Sequence, residues 1–278
     1  MIRYQLLEHE YLVHSQMPLS IAIEQSFNHT QPNHYGANLA SKRSMQAGGF
    51  IGDTEQGGSC NVNELYLNPH CNGTHTETIR HICDSSHPLS LSVAELSLAP
   101  LIPCVLISIN PELASKTTDS YTPEFAEQDH IISRAALSQA LDSYSNEQLQ
   151  AVAIRTLPNQ PTKCQQHYNA QQQPAFFSRE AILYLNERGV EHLLVDLPSL
   201  DRLHDDGLLT CHHLFWQVTE GAHQASQLSL VHKTVTELIY VPEQIDDGFY
   251  LLTLQTPAFN NDAAPSRPVL FGTQIINT

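Results

Sequence analysis

The chain has 278 residues, with 13 Lys+Arg against 29 Asp+Glu, a formal charge of -16 at pH 7 and a pI near 5.3. So acidic a chain excludes recognition of phosphate backbones, which needs a basic footprint. Its 41% hydrophobic residues are enough for a sizeable core and exclude wholesale disorder. The 16 histidines outnumber all Lys and Arg together. They call for explanation, because neutral imidazole is the commonest metal ligand and a natural acid/base group.

The opening Met1–Met17 is broken by Glu8, His9, Glu10 and His14 and reads as no secretory leader. The six cysteines are scattered, with no CxxC, so reduced thiols and a cytoplasmic location are expected. Gln25–Cys60 is polar, with turn signals at Gly48-Gly49, Gly52-Asp53 and Gly57-Gly58. An irregular stretch of that length is more often functional than idle, and Gly48–Cys60 is a plausible pocket wall. Asn63–Leu67 reads as a short strand. The most apolar run, Leu98–Ile109, is interrupted by Pro100 and Pro103. It is too short to cross a bilayer, which argues against a membrane partner, and Leu101–Ile109 reads as a buried strand. Helical spacing follows at Ile131–Leu141, then a strand at Ala151–Thr156. Phe177–Arg188 is a helix that Ser178 can cap and Gly189 can stop, followed by a strand at Val190–Val195. This order suggests a βαβ unit. Further strands are expected at Thr236–Val241 and Phe249–Thr256. The class is α/β, and nothing in residues 1–278 marks a second domain.

The chemistry concentrates in Asn68–His81, NPHCNGTHTETIRH. His70, Cys71, His75, Glu77 and His81 are five metal-capable side chains within 12 residues. His75 and Glu77 are i and i+2, so an extended backbone points both to one side. Gly73 allows a sharp turn that brings Cys71 back towards His75. Thiolate, imidazole and carboxylate together suit Zn²⁺, and an incomplete protein shell leaves a position for water. Taken singly, a loop histidine is usually solvated and a buried cysteine is usually an apolar filler. The density of the cluster is what favours a metal.

The run CNGTHTETIRH resembles the HxGTHxDxPxH signature of the cyclase family, the kynurenine formamidase-like metal-dependent hydrolases. Further likenesses follow in the family's order. VDLPSLD at Val195–Asp201 is similar to a strand end, TCHHLFW at Thr210–Trp216 to an H-x-x-L-L motif. TELIYVP at Thr236–Pro242 is similar to a late glutamate strand, and DAAPSRPVL at Asp262–Leu270 to a closing DGSPxRAVAL. The resemblance implies a compact fold of the swivelling β/β/α type and one or two Zn²⁺ ions, with Mn²⁺ as the alternative. It places Cys71 on the first motif histidine, His75 on the second, Glu77 on an aspartate that bridges two metals, and His81 on the proton carrier. His212 falls on a later metal histidine and Glu237 on a later metal glutamate. Cys71 in place of His, and Glu77 in place of Asp, mark a distinct subgroup. His70 stands beside Cys71 as an alternative ligand, and Arg80 would tune the charge beside His81. His212 and His213 are adjacent; in a strand their rings point to opposite faces, so one is a ligand and His212 is favoured.

Asp196, Ser199 and Asp201 either shape a turn or support the ligands from behind. Glu220 reads as a solvated loop acid. Trp216 is a plausible pocket wall. His9, His14, His29, His34, His130, His167, His223 and His232 read as surface residues.

The implied reaction is metal-assisted hydrolysis of a small molecule at an amide, N-formyl, ester or lactone carbonyl, with His81 passing a proton to the leaving group. Arylformamidase activity, as in tryptophan catabolism to kynurenine, is the member of this class closest to the motif, and a homo-oligomer is implied with it. Two rival readings stand: Cys71 as a nucleophile with His75 or His81 as its base, and a binding protein that has lost turnover.

Overall fold

The computed structural model describes residues 2–277. Ten strands form one mixed sheet: β1 (Ile2–Leu6), β2 (His9–Ser20), β3 (His75–Glu77), β4 (Ile102–Ile109), β5 (Ala151–Thr156), β6 (His192–Val195), β7 (Thr234–Glu237), β8 (Gly248–Thr253), β9 (Ala263–Pro265) and β10 (Val269–Asn277). Their order is β1-β2-β10-β8-β4-β5-β6-β7-β3-β9. The four central strands, β4 to β7, are parallel. Both flanks are antiparallel. This is a mixed α/β architecture, as the alternation of strand and helix signals predicts.

The central strands read as near-continuous apolar runs because both faces are covered. Side chains alternate with period two. Val105, Ile107, Val152, Ile154, Leu193 and Val195 enter one core, with Leu137 and Leu141 of α2 (Arg134–Leu141), Ile182 and Leu185 of α3 (Arg179–Glu187) and Phe215 and Trp216 of α4 (Thr210–Trp216). Cys104, Leu106, Ala151, Ala153 and Leu194 face a second core with Ile21, Ile239, Leu252 and Leu270. α3 begins on Ser178, whose side chain accepts from the Ala181 N–H, and Gly189 follows its end with φ 74. β5 and β6 pair in parallel on either side of that helix, the expected βαβ unit. Among the described residues no helix is long and apolar enough to cross a membrane.

Two expected elements differ. The helix read from Ile131 starts only at Arg134. Ile131 and Ile132 are instead a short buried strand against Glu112–Leu113 and Phe176–Phe177, and Ser133 caps the helix after it. Two consecutive β-branched residues favour that extended pairing. The strand read as Thr236–Val241 is Thr234–Glu237; Leu238 turns left-handed with φ 53 and ends it.

His192 opens β6, is 5% exposed and bonds Thr234 Oγ1 through Nδ1 at 2.9 Å. Burial lowers its pKa from 6.5 to about 4, although Glu191 acts the other way. The unfolded chain therefore takes up this proton below about 6.5 while the folded chain resists it. Stability should fall as pH drops from about 6.5 towards 4, by up to roughly 3 kcal/mol from this residue. Denaturant titrations across that range should show a shallower acid dependence in His192→Gln than in the wild type.

Candidate metal centre

Strand β3 lies between β7 and β9, with Glu77 opposite Val235 and Ala263 and His75 opposite Glu237 and Pro265. The two-residue period puts His75 and Glu77 on one face, and cross-strand pairing adds Glu237 to it. His75 Nε2 lies 3.4 Å from Glu237 Oε2. On the other face Thr76 bonds Thr236 and Ser266, which locks the strand. Helix α4 lays His212 over the cluster, its Nε2 2.9 Å from Glu77 Oε1 and 3.5 Å from Glu237 Oε1. His212 and His213 sit on this helix, not on a strand. Neighbouring helical residues diverge by about 100°, and His213 Nδ1 is buried without a hydrogen-bond partner.

From the opposite side comes the single turn α1 (Pro69–Asn72), capped by Asn68. It sets His70 Nδ1 3.1 Å from Glu77 Oε2 and His70 Nε2 2.8 Å from Asp262 Oδ2. His81 ends a 3-10 turn, its Nδ1 3.7 Å from Glu77 Oε2 and 3.4 Å from Asp262 Oδ2.

Three imidazoles share one pattern. The outer nitrogen is held by an oxygen and the inner nitrogen faces a glutamate. His75 Nδ1 bonds the Gly73 carbonyl at 3.0 Å, His212 Nδ1 bonds Asp201 at 2.6 Å, and His70 Nε2 bonds Asp262. Outer partners of this kind orient metal-binding histidines and fix their tautomer. Asp201 is held in turn by the Tyr121 hydroxyl at 2.7 Å and the Cys211 N–H.

Among the described residues, two sets of potential ligand atoms lie within 4.8 Å of one another: His70, Glu77 and His81, and His75, Glu77 and Glu237. Glu77 belongs to both. Its side chain has no solvent exposure. Burial opposes its charge, but the charges of His81 and His212, the hydrogen bond from His212 and the nearby His70 ring hold its pKa well below the usual carboxylate value. Burial likewise opposes protonation of His212, but Glu77 and Asp201 raise its pKa well above 6.5. His70 is pushed up to about 10 by Asp262 and Glu77 against the same burial.

The residues fit a divalent cation. His75 Nε2 and Glu77 Oε2 are buried and lack hydrogen-bond partners; His70 Nδ1 approaches that oxygen but off hydrogen-bond geometry. Among the described residues, these two stand apart from other buried atoms without partners because they share one cluster, where a single cation would satisfy both. Imidazole and carboxylate donors suit Zn²⁺ or Mn²⁺.

The cyclase family model matches residues 17–202. The chain belongs to the cyclase family. Solved structures agree in fold. Isatin hydrolase A from Labrenzia aggregata gives a TM-score of 0.57 at 16% identity, over 95% of this chain and 94% of that one. Isatin hydrolase A from Ralstonia solanacearum gives 0.56 at 14%, over 94% and 92%. A "predicted metal-dependent hydrolase" from Bacillus stearothermophilus gives 0.56 at 13%, over 92% and 98%. No curated protein matches the chain.

Of the residues singled out in the sequence, the fold brings together His70, His75, Glu77, His81, His212 and Glu237. Cys71 is buried close enough to feel the charge of Glu237, but it is in neither ligand set. Arg80 turns away to Ser90, Asn260 and Glu95. Trp216 is fully buried, its ring 5.6 Å from that of His212 one turn earlier in α4, so it packs against that ring instead of lining a cleft. The Gly48–Cys60 stretch forms surface turns bonded to Met45 and Val62. Asp196 pairs with Lys163 at 2.7 Å beside a cavity of about 500 Å³, and Glu220 pairs with Arg179. His34, expected on the surface, is 4% exposed and shares its environment with Glu237 and His75; burial lowers its pKa to about 4. Asp262 had no assigned role, although the closing motif begins on it.

Asp201→Asn should leave His212 in place but free its ring. Zinc affinity measured by competition with a chelating dye should fall by about 10–100-fold. An unchanged affinity would remove Asp201 from the centre.

Proposed function

We propose that this cyclase-family chain is a metal-dependent hydrolase of small molecules, opening an amide, N-formyl, ester or lactone carbonyl. The reading is carried by the three imidazoles that are each fixed from outside and turned towards Glu77 and Glu237. It goes with the swivelling β/β/α architecture and the homo-oligomeric assembly that the motif likeness implies. Isatin hydrolases among the similar folds make isatin the first probe, and an N-formyl aniline, closest to arylformamidase chemistry, the second.

His75, Glu77, His212 and Glu237 would hold the ion, and Glu77 is common to both clusters. When bound, Zn²⁺ or Mn²⁺ supplies Lewis acidity and lowers the pKa of water. The chain supplies orientation and protons. Gly73 and Asp201 keep the inner lone pairs of His75 and His212 free for coordination. His81 lies at the rim, with its side chain 25% exposed against none for Glu77. It can therefore reach both the reacting centre and solvent. Asp262 beside its Nδ1 fixes the ring so that the other nitrogen can hand a proton to the departing amine or alcohol.

A cysteine nucleophile is disfavoured. Burial and the charge of Glu237 push the Cys71 thiol up to about 11, where almost no thiolate exists at neutral pH.

Purified protein should contain bound zinc or manganese, and chelation should abolish hydrolysis of the two probes. His81→Ala should keep the metal and lose at least about 100-fold in kcat, within the range of general acid–base catalysis. Full turnover in that variant would end its role as proton carrier. Metal-free protein after growth with added zinc would end the metal reading.

A further inference from the structure

The likeness to the family signature puts a ligand at position 71, where this chain has cysteine. The fold puts a different side chain against Glu77. In a helical turn neighbouring side chains diverge by about 100°, so residues 70 and 71 cannot both face the same carboxylate. The turn is fixed from both ends. Asn68 accepts from the His70 N–H, Asn72 Oδ1 accepts from the Asn68 N–H at 2.8 Å, and Asn72 donates to the Asn38 carbonyl. Just beyond it, a Cβ at Gly73 would come within 2.8 Å of Gln25, whose side chain bonds the Asn72 carbonyl. Held in this way, the turn aims His70 at Glu77, 3.1 Å from Oε2, an oxygen without a hydrogen-bond donor.

Asp262 completes the arrangement. Its Oδ2 is 2.8 Å from His70 Nε2, so this ring carries the same carboxylate brace that Asp201 gives His212. Nδ1 of His70 is left as the coordinating atom. Asp262 sits immediately before β9, the strand paired with β3 on the far side from β7. The brace and the glutamate are therefore held by adjacent strands.

We propose that His70, oriented by Asp262, takes over the metal-ligand position of the signature's first histidine, and that Cys71 is not a ligand. The proposal rests on the metal reading above and names its ligand set. The centre then uses imidazole and carboxylate donors alone. A thiolate would have neutralised more of the ion's charge, so this donor set leaves the ion the stronger Lewis acid.

The test uses Co²⁺ and Zn²⁺ on the intact chain. The Co²⁺-loaded wild type should show d–d absorption without the intense near-ultraviolet thiolate-to-cobalt band. Cys71→Ser should bind Zn²⁺ as the wild type does. His70→Ala should weaken it by at least about 100-fold, and Asp262→Asn by about 10-fold, as expected of a ligand and its orienting partner. A thiolate band, or zinc loss in Cys71→Ser with His70→Ala unaffected, overturns the proposal and leaves a metal centre standing. Wild-type affinity in His70→Ala overturns it as well. A wild type that binds neither ion overturns the metal reading and this proposal together. The wild-type spectrum needs no variant, so it decides the part about Cys71 even if His70→Ala fails to fold, and His70→Gln, which keeps a polar side chain at that position, then decides the part about His70 by the same loss of zinc.

Discussion

A glutamate with no access to water organises this molecule. Burying a carboxylate is strongly unfavourable unless cations or donors surround it. Glu77 cannot swing out to solvent, because its strand is paired on both edges and its neighbour Thr76 is tied to Thr236 and Ser266. Compensation has to come to it. His212 arrives from α4, His70 from α1 and His81 from the turn after β3, so three separate chain segments converge on one carboxyl group. The shortness of β3, three residues, follows from this role, since it holds one side chain in place and then leaves the sheet.

The chain buries other carboxylates, and the contrast with Asp196 shows what sets Glu77 apart. Asp196 is also fully enclosed, but Lys163 meets it at 2.7 Å and the Thr156 backbone and hydroxyl donate to its oxygens. Every lone pair that needs a donor has one, so the pair is closed and structural. Around Glu77 the donors are imidazoles already committed on their outer side, and one glutamate oxygen and one histidine nitrogen remain unmatched. An unmatched acceptor pair facing inward is what a cation satisfies and a proton satisfies poorly. Asp196 follows β6, and Glu237, which shares a cluster with Glu77, ends β7, so both carboxylate sites lie at the carboxyl ends of parallel strands, where open α/β sheets collect ligands. Only one of them is left open.

Much of this was legible in the sequence where a single segment carries its own signal. β4 and β5 are buried on both faces, so they read as unbroken apolar runs, and α3 carries both its cap and its stop. The i, i+2 spacing of His75 and Glu77 translated directly into a shared face. What was hidden depends on distant pairing or on unmarked backbone. α4 begins at Leu209, a left-handed residue that offers no capping side chain, so TCHHLFW passes for a strand. The His70–Asp262 contact joins residues 192 apart in the chain. His34 is buried in a two-residue strand, Asn33–His34, that pairs with His167–Tyr168, which no local pattern announces.

The two departures from the family signature make one physical change once the ligand set is drawn with His70. A glutamate at position 77 carries its carboxyl one methylene farther from β3 than an aspartate does. The added reach extends away from the strand, towards the turn that presents His70. An aspartate there would draw the carboxyl back from His70, and a histidine at position 71 would point about 100° away from it. The cysteine is then what remains when a ligand position moves one residue along a turn. It keeps a small, buried, apolar filler where the backbone is already packed against Gln25 and Asn38. Lengthening the acid and shifting the imidazole are therefore one rearrangement, and neither is expected to preserve the centre without the other.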